Sequence, residues 1–99
     1  MISTKSRAYL RSLSNNLEAL YQIGKSGVTD SVTDTLDSAL EARELIKISL
    51  LETCPTSPKE TMTLLIASLG CEPVQTIGRK LVIFRRSSKE ENQKIVLPK

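Results

Sequence analysis

The chain has 99 residues, 39% of them hydrophobic and spread along its whole length, a net charge of +3 and no histidine. That length fits one domain able to bury a modest core, so neither a disulfide framework nor a structural metal is required. Tyr9, Tyr21 and Phe84 are too few aromatics for a base-stacking platform, and the missing histidine removes the usual base for a serine or cysteine nucleophile.

In chain order, Ser3 or Thr4 caps a first helix predicted to run to about Leu13, with Leu10 and Leu13 on its apolar side and Lys5, Arg7 and Arg11 dotted along it. The turn residues Ser14 to Asn16 end it. A strand is predicted over roughly Ala19 to Ile23, stopped by Gly24. Thr29 is a good N-cap for a second helix, with Asp30 in its first turn, where the helix dipole favours an acid. Val28, Val32, Leu36, Ala39 and Leu40 make one apolar stripe on that helix. Asp30, Asp34, Asp37 and Glu41 fall on the opposite side and predict a wholly acidic outer face.

The stretch from Glu44 to Glu52 alternates, with Ile46, Ile48 and Leu50 one way and Lys47 and Ser49 the other, as in a half-buried strand. Ser57 and Pro58 open a third helix that ends at Gly70. "EPVQTI" and "KLVIFR" read as two strands joined by a tight hairpin at Gly78 and Arg79. The polar segment from Ser87 carries one short apolar patch, Ile95 to Leu97, placed to dock as an edge strand or to float. The predicted order α-β-α-β-α-β-β makes an α/β sandwich whose final hairpin renders the sheet mixed.

The N-terminus lacks an apolar signal core and no run approaches the roughly 18 residues of a membrane span. Cys54 and Cys71 are far apart, without metal-ligand spacing, and read as reduced thiols of a cytoplasmic protein. The charge is unevenly laid out. Residues 28–41 carry four acids and no base, for −4, so the remainder is +7; residues 79–86 carry four bases and no acid. Such a molecule presents one surface suited to a polyanion and one that repels it.

Two segments bear on that partner. "GKSG", Gly24 to Gly27, lies between a strand and a helix N-terminus. Free N–H groups, the helix field and Lys25 would together attract phosphate oxygens, with Ser26 adding a hydroxyl. Glycine would admit a close sugar-phosphate backbone, so a side chain at Gly27 is expected to block it with the fold retained. The alternative is a turn that needs positive φ. The spacing matches neither a Walker A loop nor a dinucleotide fingerprint. The second segment is "IGRKLVIFRR", in which Arg79, Lys80, Arg85 and Arg86 form either a backbone-gripping surface or solvated charge that keeps a strand edge soluble.

Three motifs in order carry a resemblance. "IGKSGVTDSV" (Ile23 to Val32), "ALEARELIKI" (Ala39 to Ile48) and "QTIGRKLVIFR" (Gln75 to Arg85) resemble the CRM domain, named for chloroplast RNA splicing and ribosome maturation, in its bacterial single-domain YhbY-like form; "KIVLP" (Lys94 to Pro98) resembles its tail. The resemblance implies a mixed four-stranded sheet with packed helices, similar to the C-terminal domain of translation initiation factor three. It implies a CRM-like domain over residues 1–86 followed by a polar tail over 87–99. It also implies a non-catalytic, cofactor-free factor that binds precursor large-subunit ribosomal RNA on the pre-ribosomal particle, with Gly24 to Gly27 as its GxxG loop. The loop has one charge, Lys25, so affinity is expected to rest also on Lys5, Arg7, Arg11 and the bases at 79–86. The other reading is a protein-interaction module that uses the acidic helix or the sheet edge.

Overall fold

The computed structural model describes residues 2–93 together with Ile95 and Leu97; of the tail motif, Lys94, Val96 and Pro98 lie outside the described residues. Helix α1 spans Thr4–Ser14, α2 Asp30–Arg43 and α3 Pro58–Leu69. The strands are β1 Tyr21–Ile23, β2 Leu45–Leu50, β3 Glu72–Ile77 and β4 Lys80–Phe84, and a short 3-10 turn follows at Glu90–Asn92. The order is the one expected from the sequence, and the sheet is mixed and four-stranded.

Local chemistry sets the helix ends. Ser3 Oγ accepts from the Ser6 N–H and Thr29 Oγ1 from the Val32 N–H. Ser57 and Glu60 form a reciprocal capping box behind Pro58, and Gly70 closes α3 at φ 63°. Strand β1 is shorter than expected, because the chain coming off α1 reaches the sheet edge only at Tyr21.

The sheet order is β1-β2-β4-β3. β1 runs parallel to β2, so α2 crosses over one face to connect them. β4 is antiparallel to both β2 and β3. Alternation along β2 sends Ile46, Ile48 and Leu50 into the main core, where they meet Leu36 and Leu40 of α2, Leu65 of α3, and Leu81 and Ile83 of β4. The other face is covered at one end only. There Leu10 of α1 packs on Leu45, Val74, Val82 and Phe84, joined by half-buried Ile95 and Leu97. Those two tail residues are held by packing rather than as a sheet strand.

The junction after α2 departs from expectation. Glu44 is a helix end rather than a strand start, at φ 65°, and its side chain is fully buried. Its Oε2 accepts from the Ser87 N–H at 2.8 Å and lies 3.6 Å from the Arg86 guanidinium; its Oε1 accepts from the Ile95 N–H at 3.4 Å. The carboxylate thus fastens the segment after β4 beneath the sheet. Glu41 extends the same fastening, accepting from the Ser87 hydroxyl and from the Ser88 N–H and hydroxyl. Those hydrogen bonds, led by the Ser88 N–H, hold its carboxyl below the ordinary glutamate range. The acidic face of α2 is therefore not wholly free: its C-terminal half binds the chain's own tail.

Candidate nucleic-acid interface

Parallel pairing of β1 with β2 places the C-terminal ends of both strands together, and antiparallel β4 brings its start to the same end of the sheet. The GKSG loop after β1 and the Gly78-Arg79 hairpin before β4 therefore flank the exit of β2. They sit two strand spacings apart, about 10 Å.

The loop is a β-turn in which the Gly27 N–H donates to the Gly24 carbonyl at 2.9 Å. Lys25 and Ser26 form its exposed tip. Among the described residues Lys25 has no ion-pair partner. Asp30, in the first turn of α2, contributes a nearby carboxylate that opposes an incoming anion. Gly27 differs from expectation. It is buried, its φ is 68°, and a Cβ there would lie 3.1 Å from Cγ of Pro55. Glycine is needed at 27 by the turn and by Pro55, independently of any ligand. Gly24 has no positive φ, is half-buried, and a Cβ there would meet Cδ1 of Leu51 at an ordinary 3.4 Å. Gly27→Asp is thus expected to lose about 1–2 kcal/mol of stability. Gly24→Asp is expected to stay folded and lose RNA affinity, since its carboxylate lies beside the turn. Thermal melts and a binding titration on both variants check this. A Gly24→Asp protein that melts and binds like wild type would remove the loop from the interface.

In the hairpin, the two-residue loop carries positive φ at Gly78 (57°) and not at Arg79, the signature of a type II′ turn. Lys80 is exposed. The register pairs Gln22 with Ser49 and Ser49 with Lys80, and directly opposed residues share a face. That row, with Lys47 beside it, lies on the half of the sheet face that α1 leaves open. Lys47 and Lys80 thus share one surface, with Lys25 in the exposed loop at its β1 end, each without an ion-pair partner among the described residues.

α1 covers the same face. Lys5 is exposed, whereas Arg7 and Arg11 are half-buried, and Arg7 Nε donates to the Pro73 carbonyl at 3.0 Å. The helix thus brings its bases to the lysine side of the sheet, while the acidic helix α2 packs on the opposite side.

The four bases of residues 79–86 do not form one surface. β4 separates them by its own length, about 13 Å. Arg85 Nη1 donates to the Leu69 carbonyl at 2.8 Å and pairs with Asp37 Oδ1 at 2.8 Å, and Nη2 lies 3.6 Å from Glu41. Arg86 lies over the Phe84 ring, pairs with Glu44 and donates to the Ile95 carbonyl at 3.0 Å. Both are engaged in holding the fold. Arg79 is engaged too: Nε donates to the Leu50 carbonyl (3.2 Å) and Nη2 to the Leu51 carbonyl (2.7 Å). Lys47 is not among the bases singled out from the sequence; its place in the alternation of β2 is the available signal, and only the register with Lys80 makes it part of a group.

Among the described residues no cluster of three metal-ligating side chains occurs, and no helix is long and apolar enough to cross a membrane. Both cysteines are buried and free of disulfides, and burial pushes the Cys71 thiol up to about 11, which keeps it protonated and inert.

Comparison with known proteins gives one picture. The model of the CRS1 / YhbY (CRM) domain matches residues 2–85. The Bacillus subtilis (strain 168) protein named "Probable RNA-binding protein YqeI" is 38% identical over 98 residues, covering 99% of this chain and all of that one. A Haemophilus influenzae protein named "RNA-binding protein" is 34% identical over 102 residues, covering 99% of this chain and 96% of the relative. The solution structure of the hypothetical protein SAV1595 from Staphylococcus aureus superposes with a TM-score of 0.81 at 39% identity, covering 99% of this chain and 100% of that one.

Proposed function

The chain belongs to the CRS1 / YhbY (CRM) domain family, and from that premise we propose that it is a non-catalytic RNA-binding protein that engages precursor large-subunit ribosomal RNA during ribosome assembly in the cytoplasm. One observation carries this reading: the sheet topology brings the GKSG loop and the hairpin tip to one end, beside an open face bearing Lys47 and Lys80. The names of the relatives point to the same class of partner.

The chemistry is phosphate gripping. Lys25, with the Ser26 hydroxyl and the turn amides near it, meets one stretch of sugar-phosphate backbone. Lys47 and Lys80 meet another across the sheet, and Lys5 and Arg11 extend the field along α1. Lysines supply point charges without base readout, so recognition follows RNA shape and salt governs affinity. The acidic α2 lies on the far side and turns the domain so that this face meets the RNA. Among the described residues no acid, base and nucleophile are brought together, which supports the non-catalytic reading, and that reading calls for no cofactor.

Crosslinking in cells followed by sequencing of the bound RNA tests the target. Enrichment of large-subunit precursor RNA over mature ribosomal RNA is the expected result. Recovery of unrelated transcripts overturns the ribosomal target, and an absence of RNA crosslinks overturns RNA binding and leaves the protein-interaction reading ahead.

A further inference from the structure

Arg79 stands where an RNA ligand would be placed by charge alone, yet two nitrogens of its exposed guanidinium are bonded to main-chain carbonyls of its own chain. Its carbonyl accepts from the Leu50 N–H at 2.7 Å. Its Nε and Nη2 donate to the carbonyls of Leu50 and Leu51, the last residue of β2 and the one after it. Three bonds therefore tie one hairpin residue to two consecutive residues at the exit of β2.

Those same residues hold the other loop. The Leu51 N–H donates to the Ile23 carbonyl at 3.0 Å, one residue before the turn. The Leu51 side chain lies against Gly24, 3.4 Å from where a Cβ would stand. A continuous path of bonds and contact runs from the hairpin through Leu50 and Leu51 to the start of the GKSG turn. We infer that Arg79 is a positioning residue that locks the hairpin tip and the GKSG loop into one rigid unit, so that the lysines of both meet the RNA at fixed spacing. The inference rests on the RNA-binding reading above. The residue type fits the role: a planar guanidinium places two donors in a fixed fork that reaches adjacent carbonyls, whereas an ammonium on a flexible stem cannot hold both in one geometry.

The test compares Arg79→Ala, Arg79→Lys and Lys80→Ala with wild type. Affinity for one structured large-subunit RNA fragment is titrated against salt, and amide hydrogen exchange is followed in the free proteins. Loss of two charge-assisted hydrogen bonds is expected to speed exchange at Leu51 and Gly27 by about tenfold or more. Both Arg79 variants are expected to lose about tenfold in affinity with the slope of log affinity against log salt unchanged, because no phosphate contact is removed. Lys80→Ala is expected to do the reverse, flattening the slope by about 0.7–0.9 with exchange unaltered.

Wild-type affinity in Arg79→Lys, or a slope lowered by one contact in Arg79→Ala with exchange unchanged, makes Arg79 a phosphate ligand and overturns the positioning role alone. A wild-type protein that fails to bind structured RNA overturns the functional reading and the positioning role with it.

Discussion

Arg85→Ala is expected to cost about 2 kcal/mol of folding stability and to lower the melting temperature by about 8–16 °C, while leaving the lysine face intact. The guanidinium performs three tasks at once. It donates to the carbonyl of Leu69, the last residue of α3, where a helix leaves carbonyls without internal partners and favours a cation. It pairs with Asp37 and lies near Glu41, on α2. Its Nη2 also donates to the Asp37 main-chain carbonyl at 3.2 Å. One side chain thus joins both helices of that layer to the end of β4. Four-fifths of the side chain is out of solvent, whereas Asp37 is 56% exposed, so the loss falls below that of a fully buried pair. Arg85→Lys keeps the charge without the fork and should fall in between. Lys89→Ala, on the same segment and exposed, should stay within about 0.5 kcal/mol. Chemical denaturation of the three variants checks the order. An Arg85→Ala protein as stable as wild type, with weaker RNA binding, would return Arg85 to the interface.

The same fastening sets a pH dependence with a definite sign. Glu41 titrates below its ordinary value when folded, so its contribution is present above the unfolded value and is lost as pH falls through the lowered one. Glu41→Gln should therefore blunt the acid limb of the stability profile.

What the sequence makes legible follows from how local the physics is. Ser57-Pro58, Thr29 and Gly70 fix helix ends through neighbours three or four residues away, so their roles can be read from spacing alone. The Gly78-Arg79 hairpin is equally local. The GKSG loop was legible as a turn, but the division of labour within it was not. Gly27 is demanded by Pro55, 28 residues further on, and Gly24 by less than supposed.

The basic run at residues 79–86 misled for the same reason. Four bases in eight residues read as one patch, yet the strand between them carries Lys80 toward the open face and Arg85 into the helix layer. Charge in sequence says nothing about which carbonyls a guanidinium will find. Glu44 was hidden because a helix end at positive φ usually carries glycine or asparagine. Here the buried carboxylate, bonded to Ser87 and Ile95, accompanies that conformation.

The triple substitution Lys25→Gln, Lys47→Gln, Lys80→Gln is expected to weaken binding to structured RNA by about 10²–10³-fold near 0.1 M salt. Each lysine that neutralises a phosphate releases condensed counterion, worth about 0.7–0.9 in the slope of log affinity against log salt, so the slope should flatten by about 2–3 units. Glutamine keeps most of the aliphatic stem, which matters at half-buried Lys47 in the middle of β2, and removes the charge alone. None of the three lysines is ion-paired among the described residues, so stability should move by no more than about 0.5 kcal/mol. Asp34→Ala is the fitting comparison on the acidic helix, because Asp37 holds Arg85 and its loss would confound folding with binding. Asp34→Ala should bind equally or slightly more tightly. If the triple variant keeps the wild-type slope while Asp34→Ala loses affinity, the RNA lies against α2 and the open sheet face faces a different partner.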